Sequence, residues 1–166
     1  MPEVTLTVSL KDPEPRNPVS VFHLAQGFFL AGNRCLLNIE VGPGVTQCLV
    51  SPAVVNRCLA IELFLKAMVL HAGATPPKSH KLSQLSDLMP VLFLETLRSS
   101  FRQNVQSPTM DELLGQIDNY FVQVRYGHEF NVFAFQEHPV YVLAKYLYVQ
   151  VAGALGQRTG LEAVRV

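Results

Sequence analysis

What this 166-residue sequence lacks narrows it first. It carries no net charge, because 13 acidic residues balance 13 lysines and arginines. The broad basic face that non-specific nucleic-acid binding requires is therefore not built into its composition, although a small local cluster of arginines is compatible with it. Cysteine is scarce: Cys35, Cys48 and Cys58 are odd in number, show no C-x-x-C spacing, and lie in or beside apolar segments. That pattern predicts reduced core cysteines of a cytoplasmic protein. No basic stretch followed by an apolar run opens the chain, so no signal peptide is visible. No apolar run reaches eighteen residues without a charge, so no membrane association is expected. Metal signatures are missing too. No glutamate is followed three residues later by histidine, and His23, His71, His80, His128 and His138 show no zinc spacing. With no P-loop, dinucleotide glycine motif or nucleophile elbow, neither a metal nor a cofactor is expected.

What is present is enough apolar sequence for one sizeable core, 49% of residues. Val4, Leu6, Val8 and Leu10 alternate with Thr5, Thr7 and Ser9, which predicts a strand, and a proline-rich stretch breaks it between Lys11 and Pro18. Residues 1–17 thus form a strand and lead-in, residues 18–157 a helical bundle, and residues 158–166 a frayed tail. The strand needs a partner, either the 129–136 stretch or the same strand of a second subunit. Asn17-Pro18 opens a helix over about 18–40 with a core face of Phe22, Ala25, Phe29, Leu36 and Ile39. Gly27 and Gly32 within it weaken it and allow close approach of a neighbour. Gly42-Pro43-Gly44 ends it.

Ser51-Pro52 then starts the helix around which the chain is organised, with serine as cap and proline in the first turn. From Val54 to Leu70 it is apolar almost all round, the mark of a central helix. Glu62 and Lys66 sit within it at the spacing where side chains four apart meet. Gly73 offers a left-handed cap and Pro76-Pro77 forbids immediate resumption. After Ser79-His80 comes a second apolar series, Leu82, Leu85, Leu88, Met89 and Leu92. A third helix runs from Val91 to about Val105 with Glu95, Arg98, Ser99 and Arg102 on its polar face, and Ser107-Pro108 breaks it. Thr109-x-x-Glu112 is a capping box for a helix with the stripe Leu113, Ile117, Tyr120, Phe121 and Val124, stopped by Gly127. Residues 128–136 read as an aromatic loop or strand, and Pro139 begins the last helix, to about Gly156. The class is all-α, a four- to five-helix up-and-down bundle with a short N-terminal strand.

Order and spacing carry a resemblance. Asn56, Ala60, Glu62, Leu63, Leu65, Lys66 and Ala67, then His80, Leu82, Leu85 and Pro90, resemble the HEPN domain, an all-α family. Phe121, Arg125, Tyr126 and Glu129 resemble a second segment of some HEPN groups, with Val124 where those have tryptophan. The resemblance covers roughly residues 18–157. It implies RNA or nucleotide handling, as a toxin-type or degenerate metal-independent ribonuclease, with active sites completed across a homodimer. It also implies an alternative, a non-catalytic dimeric interaction module that partners a small nucleotidyltransferase or another encoded protein.

Active members of the family resemble one another in an Arg-x(4–6)-His motif on a late helix, where histidine moves a proton and arginine stabilises phosphorane charge. Here Arg125 is followed too soon by His128, which weighs against catalysis. The formal match Arg16-Asn17-x(5)-His23 stands across Pro18 at the start of the first helix, the wrong place. Two readings stay open for Arg125, Tyr126, His128 and Glu129. They form an anion-binding or catalytic cluster, in which Arg125 grips phosphate, Tyr126 stacks on a base and His128 titrates, or a structural Arg125–Glu129 ion pair with Tyr126 packed on the bundle. Glu62 and Lys66 either line a pocket as a buried charge pair, or sit on the one wet stripe of the central helix, or pair internally to fix helix register. His80 either binds a ligand, or caps the helix it precedes, or hydrogen-bonds a backbone carbonyl.

Overall fold

The computed structural model describes residues 17–105, 107–118, 120–125 and 136–159. Among them the elements are α1 (Pro18–Cys35), β1 (Ile39–Gly42), β2 (Val45–Gln47), α2 (Val50–His71), α3 (Leu82–Ser86), α4 (Val91–Asn104), α5 (Met110–Ile117), α6 (Tyr120–Arg125) and α7 (Glu137–Ala154). The class is all-α with one small hairpin. The strand expected at residues 4–10 and the aromatic stretch 128–135 lie outside the described residues.

α2 is the central element, in contact with α1, α7, α6 and α3. Its all-round apolar surface requires this, since each turn then finds a neighbour. Phe22 and Phe29 of α1, Phe64 of α2 and Tyr148 of α7 form the heart of the core, with ring centroids 5.3–5.8 Å apart. The Tyr148 hydroxyl accepts a 2.6 Å hydrogen bond from Gln26, so its polar end is satisfied inside the core. α4 joins this assembly through Leu94, Leu97 and Phe101. The Tyr146 ring stands edge-on to Phe101, and its hydroxyl donates to the Leu97 carbonyl at 2.7 Å.

Local signals act where they were expected at three helix ends, one of them Gly73, which takes φ +79° just after α2. The Asn17 side chain accepts from the Val19 amide at 2.8 Å and opens α1. The Thr109–Glu112 capping box opens α5. Elsewhere the structure corrects the sequence reading. α1 stops at Cys35, short of residue 40, and Ile39 is exposed in β1 instead of buried. The β-branched residues Ile39, Val41, Val45 and Thr46 flank Pro43-Gly44, a turn pair in which proline presets φ and Gly44 takes φ +70°, so a hairpin wins over a longer helix. Leu49, not Ser51, occupies the cap position of α2, and no side chain caps that end. The Leu49 amide instead donates to the Cys35 carbonyl at 2.9 Å, closing the base of the hairpin.

Leu85 and Met89 of the second apolar series are buried, but Leu88 is exposed and Leu92 is 80% exposed. α3 ends after five residues, so the periodicity that linked these leucines does not run through one helix. The stripe from Leu113 to Val124 is likewise divided between α5 and α6, with Leu113, Ile117 and Val124 buried. Of the cysteines, Cys58 is in the core while Cys48 is exposed. Gly32 is the glycine at a close approach; around Gly27 there is open space.

Candidate functional site

Two buried charges lie on α2, five residues apart: Arg57 and Glu62. Arg57 enters the interface with α1 because Gly32 has no side chain. A Cβ at Gly32 would lie 2.9 Å from the Arg57 Cγ and 3.0 Å from the Ala53 carbonyl oxygen. Arg57 Nε and Nη2 donate to Asn33 Oδ1 at 3.2 and 2.7 Å, and the guanidinium pairs with Glu137 at the start of α7. It also stands 4.7 Å from the centre of the Tyr141 ring. Burial pulls its pKa below the usual guanidinium value, opposed by Tyr141 and Cys35. One cation thereby ties α1, α2 and α7 together. Its signal in sequence was an arginine within the mostly apolar central helix, a signal the sequence reading passed over.

Glu62 is satisfied differently. Its Oε1 accepts from Lys66 Nζ at 2.6 Å, the expected contact one turn along the helix. Its Oε2 lies 3.0 Å from His80 Nδ1, which places the ring proton on Nδ1 facing the carboxylate. The His80 side chain is 60% exposed, so the cluster runs from the core to the surface at the loop between α2 and α3.

His80 is therefore not the cap of α3. Ser79 takes part of that work: its hydroxyl accepts from the Lys81 amide at 3.1 Å and donates to Gln84 at 3.0 Å. Asp118, at the end of α5, accepts from the Ser83 amide at 3.0 Å and its hydroxyl at 2.5 Å, holding the first turn of α3 from outside. No local pattern points to Asp118, which lies 35 residues from Ser83.

The structure thus brings Lys66 and His80 together on Glu62. Arg125 closes α6, which lies along α2, but its side chain is outside the described residues, as are Tyr126, His128 and Glu129. Asn17 caps α1, and exposed His23 faces Gln26 at 3.4 Å; Arg16 lies outside the described residues. Among the described residues no group of three His, Cys, Asp or Glu side chains could hold a metal ion. Burial pushes the Cys58 thiol up to about 12, which removes it as a nucleophile near neutral pH. No described helix is long and apolar enough to cross a membrane.

Comparison with known proteins adds a family. The model of the HEPN domain matches residues 49–153, from the cap of α2 nearly to the end of α7. The match takes in both buried charges, Lys66, His80 and residues 125–129, and leaves out α1 and the hairpin. No curated protein and no solved structure matches the chain.

Proposed function

The chain belongs to the HEPN domain family, and from that membership we propose that it binds RNA or a nucleotide without cleaving it. HEPN domains are generally associated with nucleotide- and RNA-related functions, and the match over residues 49–153 is the observation that carries this reading. The contact site is Arg125, Tyr126, His128 and Glu129: arginine for phosphate, tyrosine for a base face, histidine as the titrating group and glutamate to orient the arginine. Glu62, Lys66 and His80 form a charged cluster of their own on α2 and the loop after it. Binding is favoured over cleavage because His128 follows Arg125 by three positions, too few for the family's Arg-x(4–6)-His spacing.

The test is incubation of end-labelled RNA with the purified protein without added metal, beside Arg125→Ala and His23→Ala variants of matched melting temperature. We expect intact RNA throughout, retention by the wild type and by His23→Ala, and a loss of about tenfold in retention for Arg125→Ala, the scale of one charge-assisted phosphate contact. Cleavage that disappears with Arg125→Ala would make the protein a ribonuclease and sink the binding-only reading. Retention unchanged in Arg125→Ala would remove the site.

A second reading has its own observation. Leu37, Ile39, Val41 and Val45 at the hairpin, and Leu88, Val91 and Leu92 before and in α4, are large apolar side chains left exposed. Such patches mark association surfaces. HEPN domains commonly dimerise. In this reading the chain is an interaction module, working as a homodimer or with a partner such as a small nucleotidyltransferase.

A further inference from the structure

The cysteines are few enough to account for completely: Cys35, Cys48 and Cys58 are the whole complement, and all three are free thiols. Cys58 lies in the core of α2, where burial pushes its thiol up to about 12 and shields it from oxidants. The other two stand at one place in the fold. Cys35 is the last residue of α1 and half-buried; Cys48 stands two residues before α2 and is exposed. The hairpin of β1 and β2 leaves from the first and returns to the second.

Two hydrogen bonds close the base of that hairpin. The Leu49 amide donates to the Cys35 carbonyl at 2.9 Å, and the Cys48 thiol donates to the Leu36 carbonyl at 3.6 Å. Each cysteine is thus bonded to the residue next to the other. By standard backbone dimensions the first bond alone holds the two Cα atoms within about 8 Å. Any bend along it brings them nearer to the roughly 4.4–6.8 Å that a disulfide spans. Cys35 also lies one turn on from Gly32, the α1 residue set against Ala53 and Arg57, which puts it on the α2 side of its helix. Arg57 accordingly responds to it electrostatically.

We propose that Cys35 and Cys48 are a reversible thiol–disulfide pair, oxidised by a hydroperoxide, that clasps the end of α1 to the start of α2. The family match begins at residue 49, so the pair belongs to the part of the chain outside it and stands apart from the nucleotide reading. The exposed Cys48 reacts first. Its thiolate sulfur attacks one peroxide oxygen, the O–O bond breaks, and the other oxygen leaves as water or an alcohol after taking a proton. Cys48 is then a sulfenic acid. The Cys35 sulfur attacks it, the S–S bond forms, the S–O bond breaks, and the hydroxyl leaves as water with the Cys35 proton. Two thiols have lost two electrons, and the peroxide oxygens have gained them. A thiol reductant reverses the step by exchange. The crosslink closes the hairpin into a ring beside Gly32 and Asn33, so the junction that Arg57 holds is fastened covalently in the oxidised protein. Because a crosslink restricts the unfolded chain, the oxidised form is the more stable one.

The test treats the folded full chain with a small excess of hydrogen peroxide, then counts thiols by alkylation in denaturant and maps the peptides by mass spectrometry. We expect one alkylatable thiol, Cys58, a linked pair of peptides carrying Cys35 and Cys48, and recovery of all three thiols with dithiothreitol. The oxidised form should melt about 5–10 °C higher than the reduced form. Cys35→Ser should stop at a Cys48 sulfenic acid, trapped by dimedone, with no rise in melting temperature. Three alkylatable thiols after oxidation, a disulfide formed only between chains, or a link to Cys58 overturns the pair. So does a Cys35–Cys48 link that forms only in denaturant, because the fold then does not bring the thiols together. A link that forms in the folded chain and leaves the melting temperature unchanged or lower overturns the clasp. These readouts come from the wild type, so they stand whether or not the serine variant folds.

Discussion

The two charges inside α2 were solved in opposite ways. Arg57 is enclosed by three helices, and its partners Asn33, Glu137 and Tyr141 come from α1 and α7. Glu62, five residues on, is held by its own helix through Lys66 and by an exposed histidine from the following loop. A cation that keeps its charge at every working pH can be used as a bolt between elements. A carboxylate whose partners lie nearby in sequence and reach solvent fastens one loop to one helix. The contrast teaches that a buried charge is not one kind of feature: the origin and exposure of its partners decide what it holds.

Breaking the bolt has the largest expected effect. Arg57→Ala removes a buried partner from α1 and α7 together and should cost about 3–5 kcal/mol, the range for a broken buried ion pair, measured by denaturant unfolding. Arg57→Met, which keeps the stem volume, should recover part of this. A loss below about 1 kcal/mol for the alanine variant would mean the three-helix junction does not depend on the guanidinium.

Gly32→Ala comes next, at about 1–3 kcal/mol, because the added methyl meets the backbone oxygen of Ala53 as well as the flexible Arg57 stem. Combined with Arg57→Ala, its cost should shrink, since one of the two obstacles is gone; strictly additive costs would show that Gly32 serves the backbone approach alone.

Glu62→Gln should cost about 2 kcal/mol, the scale of hydrogen bonds to a charged group, with Lys66 left beside a neutral amide. His80→Ala, on the exposed side of the same cluster, should cost under about 1 kcal/mol, because solvent screens that contact. The order Glu62→Gln above His80→Ala is the check. If the two are reversed, the loop and not the helix holds the carboxylate.

The smallest effect belongs to a charge with no burial at all. Bonds from the Thr109 backbone and hydroxyl hold the Glu112 carboxyl below its usual range. A depressed carboxyl contributes stability that is present above its unfolded pKa and is lost as pH falls through the folded value. Glu112→Gln should therefore flatten the acid side of the stability profile slightly and leave neutral pH nearly as it was, read from melting temperatures across an acid titration. An unchanged acid limb would mean that the box is satisfied equally well by the amide.

The chain itself determined whatever acts over a few residues or through composition. The central helix was legible in an apolar surface with no solvent face. The entry to α1 was legible in Asn17-Pro18, the start of α5 in Thr109 and Glu112, and the Glu62–Lys66 contact in their spacing. The family was legible in the order of short patterns along α2 and the segment after it. Each of these is settled by groups within one or two helical turns, so no distant partner is needed to read it.

The tertiary structure decided the rest. Arg57 acquired its role only when Asn33 and Glu137, 24 and 80 positions away, arrived beside it. His80 became a partner of Glu62, not a cap, because the loop after α2 folds back along that helix. Helical periodicity read Ile39 into α1, but α1 ended at Cys35 and those residues formed a hairpin around Pro43-Gly44. Leu88 and Leu92 kept the spacing of core residues and still came to lie outside. Periodicity says that a face is apolar; what lies against it is decided by packing, and packing is set by residues far apart in the chain.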